Sequence, residues 1–117
     1  CNRFEADYVC RALGFADMRG AFAHGVEQVV LTLGGEGSRV MLPNHEHAIP
    51  IVPANMVDTT GAGDAFNGGF AVALSEGRDV VDAVRFGCAT AGISVTRPGT
   101  APSMPSLAEI RALLARG

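Results

Sequence analysis

Asp58-Thr-Thr-Gly61-Ala-Gly63-Asp64-Ala-Phe66-Asn-Gly68-Gly69-Phe70 is the stretch of this 117-residue sequence around which the rest arranges itself. Beyond its glycines, Phe66, Phe70, Val72, Ala73 and Leu74 recur on one side until Glu76-Gly77, the pattern of a helix with an apolar stripe. The glycines therefore stand at a helix N-terminus. A start of Gly61-Ala62-Gly63 leaves backbone N–H groups unobstructed at the positive end of the helix dipole, a ready seat for a phosphoryl group. Asp64 is the odd member, because a carboxylate there repels a docked phosphate and makes sense if its task is to take a proton. In phosphoryl transfer the attacking hydroxyl gives up its proton late, so placement counts for more than basicity. On spacing alone, a plain helix start with an acidic first turn remains the simpler reading.

Upstream, Glu5 to Leu13 and Ala16 to His24 read as two short helices, with Gly14 and Gly25 as their stops. Gln28-Val-Val-Leu-Thr-Leu33 is an unbroken aliphatic and β-branched run, which predicts a central strand covered on both faces. Gly34-Gly-Glu-Gly37 turns the chain into Ser38 to Leu42, and Pro43-Asn-His-Glu46 turns it toward Ala48 to Val52, a meander of shorter strands at the sheet edge. Downstream, Asp79 to Val95 is an Ala- and Gly-rich helix that implies close packing. Ser106 to Ala115 is amphipathic, with Leu107, Ile110, Leu113 and Leu114 apolar. The loop Arg97-Pro-Gly-Thr-Ala-Pro-Ser103 joins them. Gly68-Gly69 inside a helix points to tight packing. No repeat and no linker divides the chain, so one compact α/β domain is expected.

A hydrophobic content of 48% supports a real core, while 6% aromatics suits an Ala/Val-packed α/β protein better than a sandwich built on aromatic anchors. All nine basic residues are Arg and the net charge is -3, which leaves no basic stripe for nucleic acid. Cys1, Cys10 and Cys88 form neither a metal pair nor an even disulfide set, and read as small buried hydrophobes of a reducing, cytoplasmic compartment. No apolar run reaches the roughly 18 to 20 residues that cross a bilayer, so no membrane role is expected. The opening Cys1, where a Met would start a chain, suggests a cut inside a longer fold. His45 and His47 alternate onto one strand face without a third ligand at a useful spacing, and read as solvated.

Other glycine motifs fail on inspection. A Walker loop and the protein-kinase core both need a lysine that this sequence lacks. A dinucleotide fingerprint needs a third glycine where Phe66 stands after Gly61-Ala62-Gly63. Asn2-Arg-Phe-Glu5 is close to a helix capping box in its own right.

The Asp58 to Phe70 stretch resembles the second signature of the ribokinase-like, phosphofructokinase-B-type carbohydrate kinases. Asn2-Arg-Phe-Glu5, Thr32-Leu-Gly-Gly-Glu-Gly37 and Val95-Thr-Arg-Pro-Gly-Thr-Ala-Pro-Ser103 resemble three further motifs of that family, in the family's order. The likeness runs from Cys1 to Gly117, and the last segment is most similar to the ribose-phosphorylating branch. It implies the C-terminal portion of a three-layer αβα, Rossmann-like fold that binds ATP, Mg2+ and K+ and transfers phosphate to a sugar hydroxyl, D-ribose foremost. By that resemblance Asp64 is the general base, and the backbone of Gly61, Ala62 and Gly63 is the anion hole. Asn2 and Glu5 organise magnesium-bound phosphates through water. Thr32, Gly34, Gly37 and Gly63 line the nucleotide, Cys88 packs near the adenine, and Asp58, Thr60, Ser94, Arg97, Gly99 and Ser103 surround potassium. The likeness also implies an N-terminal sugar-binding and lid part, with a homodimer made through it, to which nothing in residues 1–117 corresponds. The chain alone is accordingly expected to bind nucleotide weakly and to be inactive. The alternatives are a fructokinase or nucleoside kinase of the same fold, a non-catalytic nucleotide-binding fragment, and a structural α/β domain that ATP does not stabilise.

Overall fold

Asn2 starts the first helix with a reciprocal cap. Its side chain accepts from the Glu5 N–H at 2.9 Å, while the Glu5 carboxylate accepts from the Asn2 N–H at 2.8 Å. Helix α1 then runs Arg3–Leu13 and ends at Gly14, which takes the left-handed conformation expected of a stop. The computed structural model describes residues 1–117. It resolves them into two compact units, Cys1–Pro50 and Ile51–Gly117, where the sequence showed no linker. Pro50 and Pro53 bracket the change, in a stretch without regular structure.

In the first unit, α1 is followed by a 3-10 helix over Met18–His24 where an α-helix from Ala16 was expected. Asp17 caps it by accepting from the Arg19 N–H at 2.7 Å. Gly20 lies so close to the Phe15 ring that a Cβ would stand 2.5 Å from a ring carbon, and the chain wraps tightly over that ring. Strands β1 (Val29–Thr32), β2 (Ser38–Met41) and β3 (Glu46–Ile49) form an antiparallel meander in the order β1-β2-β3. Val29 pairs with Met41 and Thr32 with Ser38, and Ser38 in turn with Ile49. The third strand begins and ends earlier than the Ala48 to Val52 run suggested.

Strand β1 is not central in this sheet, and only Val29 of its four residues is buried. Its other three residues are half-buried, and the strand is hydrogen-bonded on both edges. On the edge away from β2, the Thr32 N–H donates to the Cys1 carbonyl at 2.9 Å, the Cys1 amino group donates to the Val30 carbonyl at 2.9 Å, and Asn2 bridges Thr32 in parallel. Ala21, Val29 and Met41 make the buried core, with Phe15, Met18, Phe22 and Leu31 packed around it. His45 and His47 are exposed as expected, and no cluster of three or more His, Cys, Asp or Glu side chains exists.

The second unit consists of α2 (Ala62–Ser75), α3 (Val80–Ser94), a short 3-10 turn at Ala101–Ser103 and α4 (Leu107–Arg116). Asp79 caps α3 and Ser106 caps α4, the latter reciprocally with Glu109. Phe66, Phe70 and Ala73 turn inward on one face of α2, whereas Val72 and Leu74, expected with them, are each 43% exposed. A helix places those two about 100° to either side of Ala73, which takes them off the stripe. Ala73, Ala83, Phe86, Ala89 and Ile110 form the core, and the Arg78 guanidinium lies over the Phe86 ring at 5.1 Å. Of the cysteines expected to be buried, Cys88 is, Cys10 is half-buried and Cys1 is exposed. No helix is long and apolar enough to cross a membrane.

Close packing of α2 on α3 depends on two glycines. A Cβ on Gly69 would meet the Thr90 hydroxyl at 2.2 Å, and that hydroxyl is fixed by donating to the Phe86 carbonyl at 2.8 Å. One on Gly87 would meet the Phe66 ring and carbonyl at 2.9 Å. Gly68 shares the expectation of tight packing but is exposed, with no atom within 4 Å of its missing Cβ. Gly69→Ala and Gly87→Ala should each destabilise by about 1–3 kcal/mol through overpacking. Gly68→Ala should stabilise by up to about 1 kcal/mol through helix propensity. Denaturant melts of the three variants check the contrast.

Candidate active site

Gly61 begins α2 with φ at 77°, in the left-handed region that favours glycine, and a Cβ there would stand 3.2 Å from the Thr100 methyl. Helices α1, α3 and α4 start on side-chain caps, but no side chain caps α2. The Ala62 N–H donates to the Thr59 carbonyl at 3.2 Å, while those of Gly63 and Asp64 find no partner in the chain and meet solvent, with nothing within 4 Å of the missing Gly63 Cβ. Asp64 follows on the first turn. It is exposed, and its carboxylate makes no hydrogen bond or ion pair. The turn therefore offers amide donors and a free carboxylate side by side.

Asp58 holds this turn in place. One carboxylate oxygen accepts from the Thr60 N–H at 2.9 Å and the other from the Gly99 N–H at 3.0 Å. The Thr60 amide first, then the Gly99 amide and the Thr60 hydroxyl, hold the carboxyl below its ordinary value, because each stabilises the charged form. The Val95 carbonyl adds two bonds to the same strip, accepting from Val57 at 2.7 Å and Asp58 at 3.1 Å. Beneath the loop, the buried Ser94 and Ser103 hydroxyls lie 3.0 Å apart. Ser103 donates to the Thr100 carbonyl at 2.6 Å, so Ser94 is the donor between the two.

Asp58, Thr60, Ser94, Arg97, Gly99 and Ser103, expected around one cation, are thus brought into a single knot of loop. The carbonyls of Thr60, Arg97 and Gly99 accept no hydrogen bond from the chain, and an all-oxygen set of that kind fits a weakly hydrated cation. The Arg97 side chain turns away and pairs with Glu109. Glu109 is pulled down to about 2, first by the Ser106 amide and then by the Arg97 guanidinium. Cys88 is buried in the middle of α3.

The other expected residues gather in the first unit. Asn2 and Glu5 form the capping box of α1, so the alternative reading of their spacing is realised in the fold. Thr32 ends β1 beside Asn2, and Gly34–Glu36 make one 3-10 turn closed by Gly37, whose N–H donates to the Gly34 carbonyl at 3.0 Å. Gly37 takes φ 89° and ψ −140°, a conformation open only to glycine. Arg3 pairs with Glu36 at 3.0 Å and ties the turn to the start of α1. A helix N-terminus and a glycine turn therefore meet at the carboxyl ends of two parallel segments, the place where α/β folds bind ligands. Arg3–Glu36 and Arg97–Glu109 escaped sequence reading because their partners lie far apart along the chain.

Residues 1–107 match the pfkB family carbohydrate kinases. The chain belongs to that family. A ribokinase of Bacillus subtilis is 43% identical over 113 residues, covering 97% of this chain and 38% of the relative. A ribokinase of Arabidopsis thaliana, solved with ribose and ATP, superimposes with a TM-score of 0.82 at 36% identity, over 97% of this chain and 39% of its own. A nucleoside kinase of Methanocaldococcus jannaschii gives 0.89 at 26% identity, over 99% of this chain and 38% of its own. The pfkB chain described here thus spans about two fifths of the length of these relatives, and its α/β fold is a portion of the ribokinase fold.

Because the folded value of Asp58 is depressed, its two bonds stabilise fully above the ordinary value of 3.8 and are lost as pH falls through the lower folded value. Acid titration should therefore shift the amide NMR signals of Thr60 and Gly99 together, with a midpoint below 3.8. Separate midpoints, or one at 3.8 or above, would rule out the shared carboxylate.

Proposed function

We propose that this chain is the nucleotide-binding and phosphoryl-transferring part of an ATP-dependent sugar kinase, with D-ribose as acceptor and D-ribose 5-phosphate as product. The observation that carries the reading is the uncapped start of α2, where open amides adjoin the unpartnered carboxylate of Asp64. Kinship with ribokinases at 43% identity supports the sugar, while the nucleoside kinase similarity makes adenosine the acceptor to exclude.

In this reading the backbone of Gly61, Ala62 and Gly63 faces the charge that grows on the transferring phosphoryl group, with the Gly63 amide open and the Ala62 amide sharing its proton with the Thr59 carbonyl. Asp64 accepts the proton of the attacking hydroxymethyl oxygen. Asn2, Thr32, Gly34 and Gly37 would hold the nucleotide on their own unit, and Glu5, whose cap uses one carboxylate oxygen, would help to hold Mg2+ through water. Magnesium supplies charge neutralisation of the phosphates. The Asp58, Thr60, Ser94, Arg97, Gly99 and Ser103 loop would hold K+ through its oxygens, and its bonds to Asp58 keep the anion hole in register. The lid and most sugar contacts belong to a further segment, and the whole enzyme works without nucleic acid or membrane, as a cytoplasmic homodimer.

The test is ADP release by the complete protein with Mg2+ and K+, comparing ribose, fructose and adenosine. Ribose should give the highest kcat/KM, and Asp64→Asn should lower kcat by about 100-fold or more while ATP still binds. Preference for adenosine would move the chain to the nucleoside kinases. Turnover indifferent to Asp64→Asn would remove Asp64 from the chemistry.

A further inference from the structure

The Arg97–Glu109 pair lies outside every expected role, because Arg97 was expected only among the residues around potassium and Glu109 not at all. Its place in the fold gives it one. Helix α4 is anchored by Ile110, buried in the core with Phe86, Ala83 and Ala73, and Glu109 is the residue before that anchor. The carboxylate of Glu109 is held from both sides. One oxygen accepts from the Ser106 amide at 2.7 Å and from the Ser106 hydroxyl at 3.0 Å, and the other accepts from the Arg97 guanidinium. Arg97 itself sits on the loop whose Gly99 amide reaches Asp58 and whose Thr100 methyl covers Gly61. A continuous run of contacts therefore leads from the core, through α4, to the turn that starts α2.

We infer that Glu109 is a positioning residue for phosphoryl transfer, acting through Arg97 to hold the Thr96–Ser103 loop in the shape that fixes Asp58 and the Gly61 turn. This rests on the kinase reading above. Arg97 is the one charged group that acts on the Glu109 carboxylate. Within the same unit Asp58 is occupied by two amides, and the Glu76 carboxylate is occupied by Arg78 and Arg111. Arg97 and Glu109 are thus left to each other. Both are partly exposed, at 36% and 44%, so the pair contributes little to global stability and its effect should appear in the loop.

Glu109→Gln separates the two jobs of this side chain, because glutamine preserves the capping box while removing the negative charge that faces Arg97. In the complete protein, Glu109→Gln and Arg97→Gln should each lower kcat about threefold, with the KM for ATP and the melting temperature unchanged and the double variant no worse than either single one. Ser106→Ala, which weakens the cap and leaves the ion pair, should lower the melting temperature and spare kcat. Independently of activity, hydrogen exchange of the Gly99 and Thr60 amides should be about threefold faster in Glu109→Gln. Unchanged exchange, or a kcat that follows melting temperature across all variants, would overturn the inference. Faster exchange in a protein that shows no sugar-dependent turnover would uphold the tie and sink the kinase reading instead.

Discussion

A single carboxylate, that of Asp58, joins two loops that lie 41 residues apart. Its bond to Thr60 shapes the chain just before α2, and its bond to Gly99 brings the second loop over the Gly61 turn, where Thr100 leaves room for no side chain. The start of α2 inherits its direction from this joint. Without it the Gly61 turn would lose its cover, and amides that now converge on one side of the helix end would fluctuate with a free loop. The acidic character of the site follows from the same joint, since a carboxylate satisfied by two amides keeps its charge to lower pH than an ordinary one.

Behind the joint, the scaffold is stiff because α2 and α3 approach at Gly69 and Gly87 with no slack. A rigid helix suits the catalytic role proposed for its first turn, since the position of Asp64 is then set by the backbone rather than by its own unpartnered side chain. The first unit uses a different device for a similar end. There the capping box of Asn2 and Glu5 and the Arg3–Glu36 pair hold a helix start and a glycine turn beside the end of β1. Capping and ligand binding are compatible uses of the same two residues, because the cap engages one carboxylate oxygen of Glu5 and the carbonyl oxygen of the Asn2 amide.

Local features were legible in the sequence. The stops at Gly14 and Gly25, the caps at Asn2 and Ser106, and the helix that follows Gly61-Ala62-Gly63 each depend on residues within one turn of each other. The motif residues, read through family resemblance, are drawn together by the fold in two sets: the six of the Asp58 loop, and Asn2, Glu5, Thr32, Gly34 and Gly37. What could not be read depends on distance along the chain. The aliphatic run at Val29 marks a strand without fixing its place in the sheet order, and Val72 and Leu74 differ from Phe70 only in helical phase. The pairing of Arg97 with Glu109 leaves no periodic trace, and the 3-10 geometry after Asp17 depends on how Phe15 folds onto Gly20.

The most direct measurement is a crystal structure of the complete protein with ADP, Mg2+, ribose and aluminium fluoride as a mimic of the phosphoryl group in flight. The predicted result places the fluoride on the amides of Gly61 to Gly63, with an Asp64 oxygen about 2.6–3.2 Å from the ribose hydroxyl in line with it. A fluoride held elsewhere, or a ribose hydroxyl beyond the reach of Asp64, would contradict the account.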